Sequence, residues 1–340
     1  MKRRQGRLMW VFIIAVTLML AAAAEASEKG PAPGGGGLTR LVVAELRSEF
    51  WLPAYLAETL GYYKEEGLEV QFVTTKDGPV AFQGMHAGSA DLTMLSTEPV
   101  FRAQAKGLES IIILSTLTNK PYMFISAPSI TEVKQLKGKT IFAGAPGSAP
   151  HSFALSILAK EGLKDTDVKW AQMEYGASLA ALEKGHIDAC YLRSTAKKEA
   201  AAIKANILVD VSDPKQHQAL YGTSRYESTI IVGTKRFVRQ NPETIQKFAN
   251  AVVRAMIWLN KNSDEEAAKK ALPLFPAGNI SADSIGYLRS SLSKDGLISE
   301  EGHKTIVAYC RAAGIIDRDI PYDEVYDMSF VRKAYAAFNK

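Results

Sequence analysis

The 340-residue chain carries 41 Lys and Arg against 36 Asp and Glu, with 47% hydrophobic and 23% charged residues. These are the proportions of an ordinary globular protein, and they exclude a disordered polymer for the bulk of the chain. The length suits about two domains. The formal charge of +5 is concentrated at the N-terminus. Lys2, Arg3, Arg4 and Arg7 precede "LMWVFIIAVTLMLAAAA", which exits through Ala24-Glu25-Ala26. A positive start, an apolar middle and a small-residue exit are the three parts of a secretory signal peptide, read here over 1–26 and cleaved. An uncleaved anchor is the alternative, because about 17 apolar residues just reach across a bilayer. Losing those four basic residues and Glu25 takes the net charge from +5 to about +2, so neither nucleic acid nor an anionic membrane gains support as a partner. Cys190 and Cys310 are the two cysteines. Each lies in an apolar pattern and reads as a buried free thiol, although an oxidising compartment leaves pairing open.

Taken in chain order, residues 27–37, with "EKGPAPGGGG" at 28–37, form a flexible spacer. "LTRLVVAEL" predicts a strand, "WLPAYLAETLGYYKEEG" a helix ending near Gly61, and "LEVQFVTT" a second, half-buried strand. A helix around "VAFQGMHAG", the strand "ADLTMLS", a helix from "TEPVFRAQAKG" and the strand "SIIILSTLT" follow. The alternation then repeats. "PYMFISA", "TIFAGA", "VKWAQM", "IDACYL" and "ILVDV" read as strands, separated by the helices "HSFALSILAKEGL", "GASLAALEKG" and "TAKKEAAAIKA". Strands and helices taking turns at this spacing mean mostly parallel sheets covered by helices on both faces.

Both halves carry one local signature: Gly88-Ser89-Ala90-Asp91 before "LTMLST", and Gly185-His186-Ile187-Asp188 before "ACYLRST". In each, a helix stops at Gly and an Asp opens a short apolar strand, the Asp bonding backbone groups of the turn. Two such signatures in register predict two similar α/β lobes. Beyond them, "STIIVGTKRFVRQNPETIQKFANAVVRAMIWLNKN" predicts a strand running into a long helix whose Ile245, Phe248, Ala249, Val252 and Met256 share a face. From Ser263 onward the chain reads as helices that pack back on the first lobe.

Five stretches occurring in order, "LAETLGYYKEEGLEV" (56–70), "GMHAGSADLTML" (84–95), "SITEVKQLKGKTI" (129–141), "LAKEGLKDTDV" (158–168) and "ALEKGHIDACY" (181–191), resemble the periplasmic solute-binding proteins of ABC importers for nitrate, sulfonates, taurine and thiamine-pyrimidine precursors. The resemblance covers roughly 38–262. It implies two α/β lobes joined by two crossing strands (the type II periplasmic-binding fold), with lobe one at 38–118 plus 230–340 and lobe two at 119–229. It further implies capture of a sulfonate, a pyrimidine-type precursor or an aromatic carboxylate by hinge closure, without catalysis or cofactor. The partners would be that small molecule and an inner-membrane ABC permease, with the receptor a periplasmic monomer that binds no nucleic acid. A secreted sensor is the alternative. Less favoured is an enzyme resembling the eukaryotic thiamine-pyrimidine synthases, which rely on a Cys-rich iron-binding motif that this chain lacks.

Ligands of open parallel sheets bind beyond the carboxyl ends of the strands, where helix N-termini present free N–H groups. That rule selects Phe50 and Trp51, as stacking surfaces or core caps, and Ser96 and Thr97, as caps with a hydroxyl to spare. Glu98 beside them would repel an anion. It also selects Gly147, Ser148 and His151 within "GAPGSAPHS". This stretch lacks the Lys-Ser/Thr pair of a phosphate loop and the geometry of a nucleophile elbow, which leaves binding. Asp188, Tyr191 and Arg225 complete the candidates. Arg225 is preferred over Arg193 as the guanidinium for an anionic group, because Arg193 reads equally well as a solvated charge. The histidines show no metal-ligand spacing with Cys or carboxylates.

Overall fold

A computed structural model describes residues 37–275 and 280–339; the expected signal peptide and nearly all of the spacer lie outside these. Among the described residues, ten strands form two sheets: β1 (Thr39–Glu45), β2 (Leu68–Thr74), β3 (Leu92–Ser96), β4 (Ser110–Ser115), β5 (Tyr122–Ser126), β6 (Thr140–Phe142), β7 (Lys169–Trp170), β8 (Ala189–Arg193), β9 (Asn206–Asp210) and β10 (Thr229–Thr234). One sheet has the order β2-β1-β3-β10-β4 and the other β7-β6-β8-β5-β9. Both are parallel except for one reversed strand each. β10 runs antiparallel to β3 and β4, and β5 to β8 and β9. Each reversed strand is the one that arrives from the other lobe. β3, β4 and β5 are buried almost throughout, as expected of strands covered on both faces.

The paired Gly-Asp signature has one physical meaning in both lobes. Asp91 accepts the Val42 N–H of β1 at 2.7 Å, and Asp188 accepts the Thr140 N–H at the start of β6 at 2.8 Å. Each carboxylate thus registers the strand it opens against its parallel neighbour. The expected continuous helix after β10 is two helices, Lys235–Gln240 and Pro242–Lys261. Pro242 has no N–H to continue the first and sits well in the opening turn of the second. The second helix buries Ile245, Phe248, Ala249, Val252 and Met256 against the helices Ser329–Phe338 and Leu52–Thr59, so the C-terminal helices pack on lobe one. "VKWAQM" yields only the two residues of β7.

Cys190 lies in the apolar core of lobe two with Met123 and Ile125, and Cys310 in a separate cluster with Ile112 and Tyr326. Both are free thiols, and burial pushes the Cys190 thiol up to about 12.

Burial also lowers the pKa values of His86, His151, His217 and His303 below the ordinary value. Below about pH 6.5 the unfolded chain therefore binds more protons than the folded one, and stability falls as pH drops through that window. Urea midpoints at pH 7.0 and 5.5 check this, with the lower midpoint expected at pH 5.5. Equal midpoints would show that the four imidazoles protonate without cost.

Candidate ligand-binding cleft

Because the parallel strands of each sheet end at one edge, the loops beyond those edges face each other across the gap between the lobes. They enclose a cavity of ≈ 80 Å³. Lobe one contributes Leu46, Ser48, Phe50 and Trp51 beyond β1, Lys76, Asp77 and Gly78 beyond β2, and Ser96 at the end of β3. Lobe two contributes Ser148, Ala149 and Pro150 beyond β6, Tyr175 beyond β7, and Tyr191 and Arg193 on β8. The reversed strands present their first residues, Tyr122 and Thr229.

Helix starts converge here. Ser148 accepts the His151 N–H at 3.3 Å and caps the helix Ala149–Lys160, while Asp77 accepts the Val80 N–H at 3.0 Å and caps Gly78–His86. Ser96 stands at the N-cap position of Thr97–Ala105, but its side chain makes no capping bond, leaving that hydroxyl to the cavity. Gly144 and Gly147 hold φ of +78° and +85°, a region that L side chains rarely enter. A Cβ at Gly144 would lie 1.9 Å from the Tyr175 hydroxyl oxygen, so the bare backbone there is what lets Tyr175 reach the cavity.

The walls are aromatic. Phe50 stacks on Tyr122 with centroids 5.9 Å apart, Tyr122 meets Tyr191 edge-on at 4.9 Å, and Tyr191 meets Tyr175 at 6.1 Å. The Trp51 indole N–H is anchored on the Ile230 carbonyl at 3.1 Å. Burial raises the phenol pKa values of Tyr122, Tyr175 and Tyr191, so all three are neutral hydrogen-bonding groups at ordinary pH.

The charged groups are matched across the cleft. Arg193 donates to Glu49 of lobe one at 2.7 Å, and Thr195 donates to the other oxygen of Glu49 at 2.6 Å. Burial works to discharge the Arg193 guanidinium, but Glu49 overrides it and its pKa rises above the ordinary value. Lys76 faces Glu174 at 3.5 Å, an exposed pair of small energetic consequence.

Phe50, Trp51, Ser96, Ser148 and Tyr191 therefore meet at one cavity, whereas Thr97, Gly147, His151, Asp188 and Arg225 do not line it. Thr97 is fully buried behind Ser96. Gly147 backs onto Arg102, whose Nε lies 3.6 Å from the position of a Cβ there. His151 packs on Trp170 with ring centroids 4.5 Å apart. Asp188 is committed to the backbone of β6, with Lys139 at 3.7 Å. Arg225 is held by Glu227, a buried carboxylate two residues on, at 2.5 Å. Glu98 presents no charge to the ligand either: it is fully buried and paired with Lys120. The strand-end rule applied to "KDGP" at 76–79 would have found Asp77 and Gly78. Tyr122 gave no such signal, because the reversal of β5 puts a strand's first residue at the ligand edge.

Among the described residues, no group of three His, Cys, Asp or Glu is placed to hold a metal ion, and no helix is long and apolar enough to cross a membrane. Two lobes that exchange a reversed strand around an aromatic-lined cavity define the periplasmic-binding fold. Residues 50–266 match the family described as NMT1/THI5 like, and the chain belongs to that family. A solved structure of a Bordetella bronchiseptica RB50 protein superimposes with a TM-score of 0.78 at 26% identity, covering 88% of this chain and 98% of that one. The alkanesulfonate-binding protein SsuA of Xanthomonas axonopodis pv. citri, bound to MOPS, shares the fold with a TM-score of 0.68 at 16% identity, covering 85% of this chain and 98% of its own. The riboflavin-binding protein RibY of Chloroflexus aurantiacus is 22% identical over 298 residues, 82% of each chain. The pyrimidine phosphate synthase THI13 of Saccharomyces cerevisiae is 24% identical over 218 residues, 61% of this chain and 62% of its own.

Proposed function

We propose that the protein is the receptor of an ABC importer, capturing one small organic ligand per chain outside the cytoplasmic membrane and delivering it to a permease. The observation that carries this reading is the cavity itself. Its walls come from both lobes, and those lobes are joined through the short connectors 116–121 and 222–228. A ligand touching both walls favours the closed arrangement by the contacts it makes only there. Adjacent connectors support such a motion: the Tyr226 N–H bonds the Thr118 carbonyl at 2.9 Å, so the two lie side by side. Relatives named for binding sulfonate or riboflavin support the receptor role. Against the synthase alternative, both thiols of this chain are sealed in apolar cores away from the cavity.

Native mass spectrometry of the freshly purified protein, followed by thermal shift and small-angle scattering with the retained compound, tests this. One bound mass per chain, a raised Tm and a smaller radius of gyration on rebinding are expected. A chain that retains nothing and shifts with no small molecule would remove the receptor reading.

A further inference from the structure

We propose that Glu49 sets the ligand class of this cavity: by holding Arg193 from within the protein, it reserves the site for an uncharged planar ring and turns away aromatic anions. The inference rests on the receptor reading and narrows it. Five aromatic side chains line the cavity, namely Phe50, Trp51, Tyr122, Tyr175 and Tyr191, which suits a flat ring with faces to cover. Of the charged groups, Arg193 is the cation best placed to receive a carboxylate or sulfonate. One arm of its fork, Nη1, is already taken. Glu49 is 3% exposed, accepts from Arg193 at 2.7 Å and from Thr195 at 2.6 Å, and so uses both of its oxygens.

An anionic ligand that drew Arg193 away would leave the Glu49 carboxylate buried without its cation, a heavy electrostatic penalty. Among the lining residues the one further cation is exposed, so water screens its pull on an anion. Lys76, the other lining cation, stands opposite Glu174. Arg102 lies behind Gly147 and does not line the cavity. Asp77 lines it as a carboxylate, which adds repulsion. What remains for recognition is neutral: the unspent Ser96 hydroxyl, Ser48, Thr229 and the three phenols. Glu49 comes from lobe one, and Arg193 and Thr195 from lobe two. The wall therefore supplies across the cleft the carboxylate that an acidic ligand would otherwise bring.

The test is titration calorimetry with shape-matched pairs, nicotinamide against nicotinate and benzenesulfonamide against benzenesulfonate, on the wild-type chain and on Glu49→Gln. The amide keeps an acceptor for Arg193 and Thr195 while removing the charge. The wild type is expected to favour the uncharged member at least tenfold, and Glu49→Gln to gain at least tenfold for the anion. Glu49→Asp, which retains the charge, is expected to keep the wild-type preference. A gain for the anion in Glu49→Gln supports the assignment even where the wild type takes neither member. Wild-type preference for the anion overturns it and leaves the receptor reading standing. An unchanged preference in a folded Glu49→Gln overturns it too, as does failure of both proteins to bind any probe. If Glu49→Gln does not fold, the wild-type preference alone decides. The receptor reading is judged separately, by the mass retained on purification.

Discussion

Lys120→Met is expected to destabilise the protein by about 3–5 kcal/mol, the cost of leaving a buried carboxylate without its partner. Lys120 and Glu98 are both 0% exposed and form an ion pair. The ammonium also lies over the rings of Tyr226 at 4.3 Å, Tyr309 at 5.1 Å and Tyr122 at 5.4 Å, placements that attract a desolvated cation. The Tyr226 hydroxyl bonds the same Glu98 oxygen at 3.2 Å. These residues come from the first connector (Lys120), the second (Tyr226), the opening turn of a lobe-one helix (Glu98) and the helix Glu300–Ala312 (Tyr309). The knot therefore ties both connectors to lobe one. Urea unfolding measures the loss. Adding Glu98→Gln to Lys120→Met removes the stranded charge and is expected to restore at least half of it. A double variant no more stable than the single one would show that packing of the lysine stem, not the charge pair, holds the hinge.

Gly144→Ala is expected to cost about 1–2 kcal/mol of stability from its left-handed backbone alone, and to weaken ligand binding at least tenfold besides. The second effect is steric. The new methyl would fall 1.9 Å from the Tyr175 hydroxyl oxygen and 2.7 Å from its ring carbon, and the displaced phenol would leave the cavity wall. Gly162 provides the control. Its φ is +76°, but a Cβ there meets nothing within 4 Å, so Gly162→Ala should carry the backbone cost and leave affinity intact. Thermal unfolding and calorimetry with the ligand retained on purification separate the two effects. Equal affinities for the two variants would remove Tyr175 from the binding surface.

How much of the site was legible depended on how local its cause was. Ser148 could be placed from its neighbours, because a Ser before a helix has a short-range job, and its bond to the His151 N–H spans three residues. Phe50, Trp51 and Ser96 followed from the same strand-end logic. The two arginines were different. Arg193 ends β8 and Arg225 lies inside the second connector, and the one local sign of commitment is Glu227 two residues beyond Arg225. What separates them is their partners: Glu227 takes Arg225 from two residues away, while Glu49 takes Arg193 from 144 residues away. Locally, Glu98 reads as an anion facing the ligand, because its neutraliser, Lys120, arrives 22 residues later from the first connector.

The order of strands and helices, the two-lobed repeat and the Gly-Asp turns were determined by the sequence alone. Each rests on hydrophobic periodicity or on a side chain bonding its own turn, and both act over a few residues. The reversal of β5 and β10, the aromatic closure around Tyr122 and Tyr175, and the commitment of each charge were decided only by the tertiary structure. A charge or a ring acquires its role from whatever the rest of the chain buries beside it, and burial is a property of the folded whole.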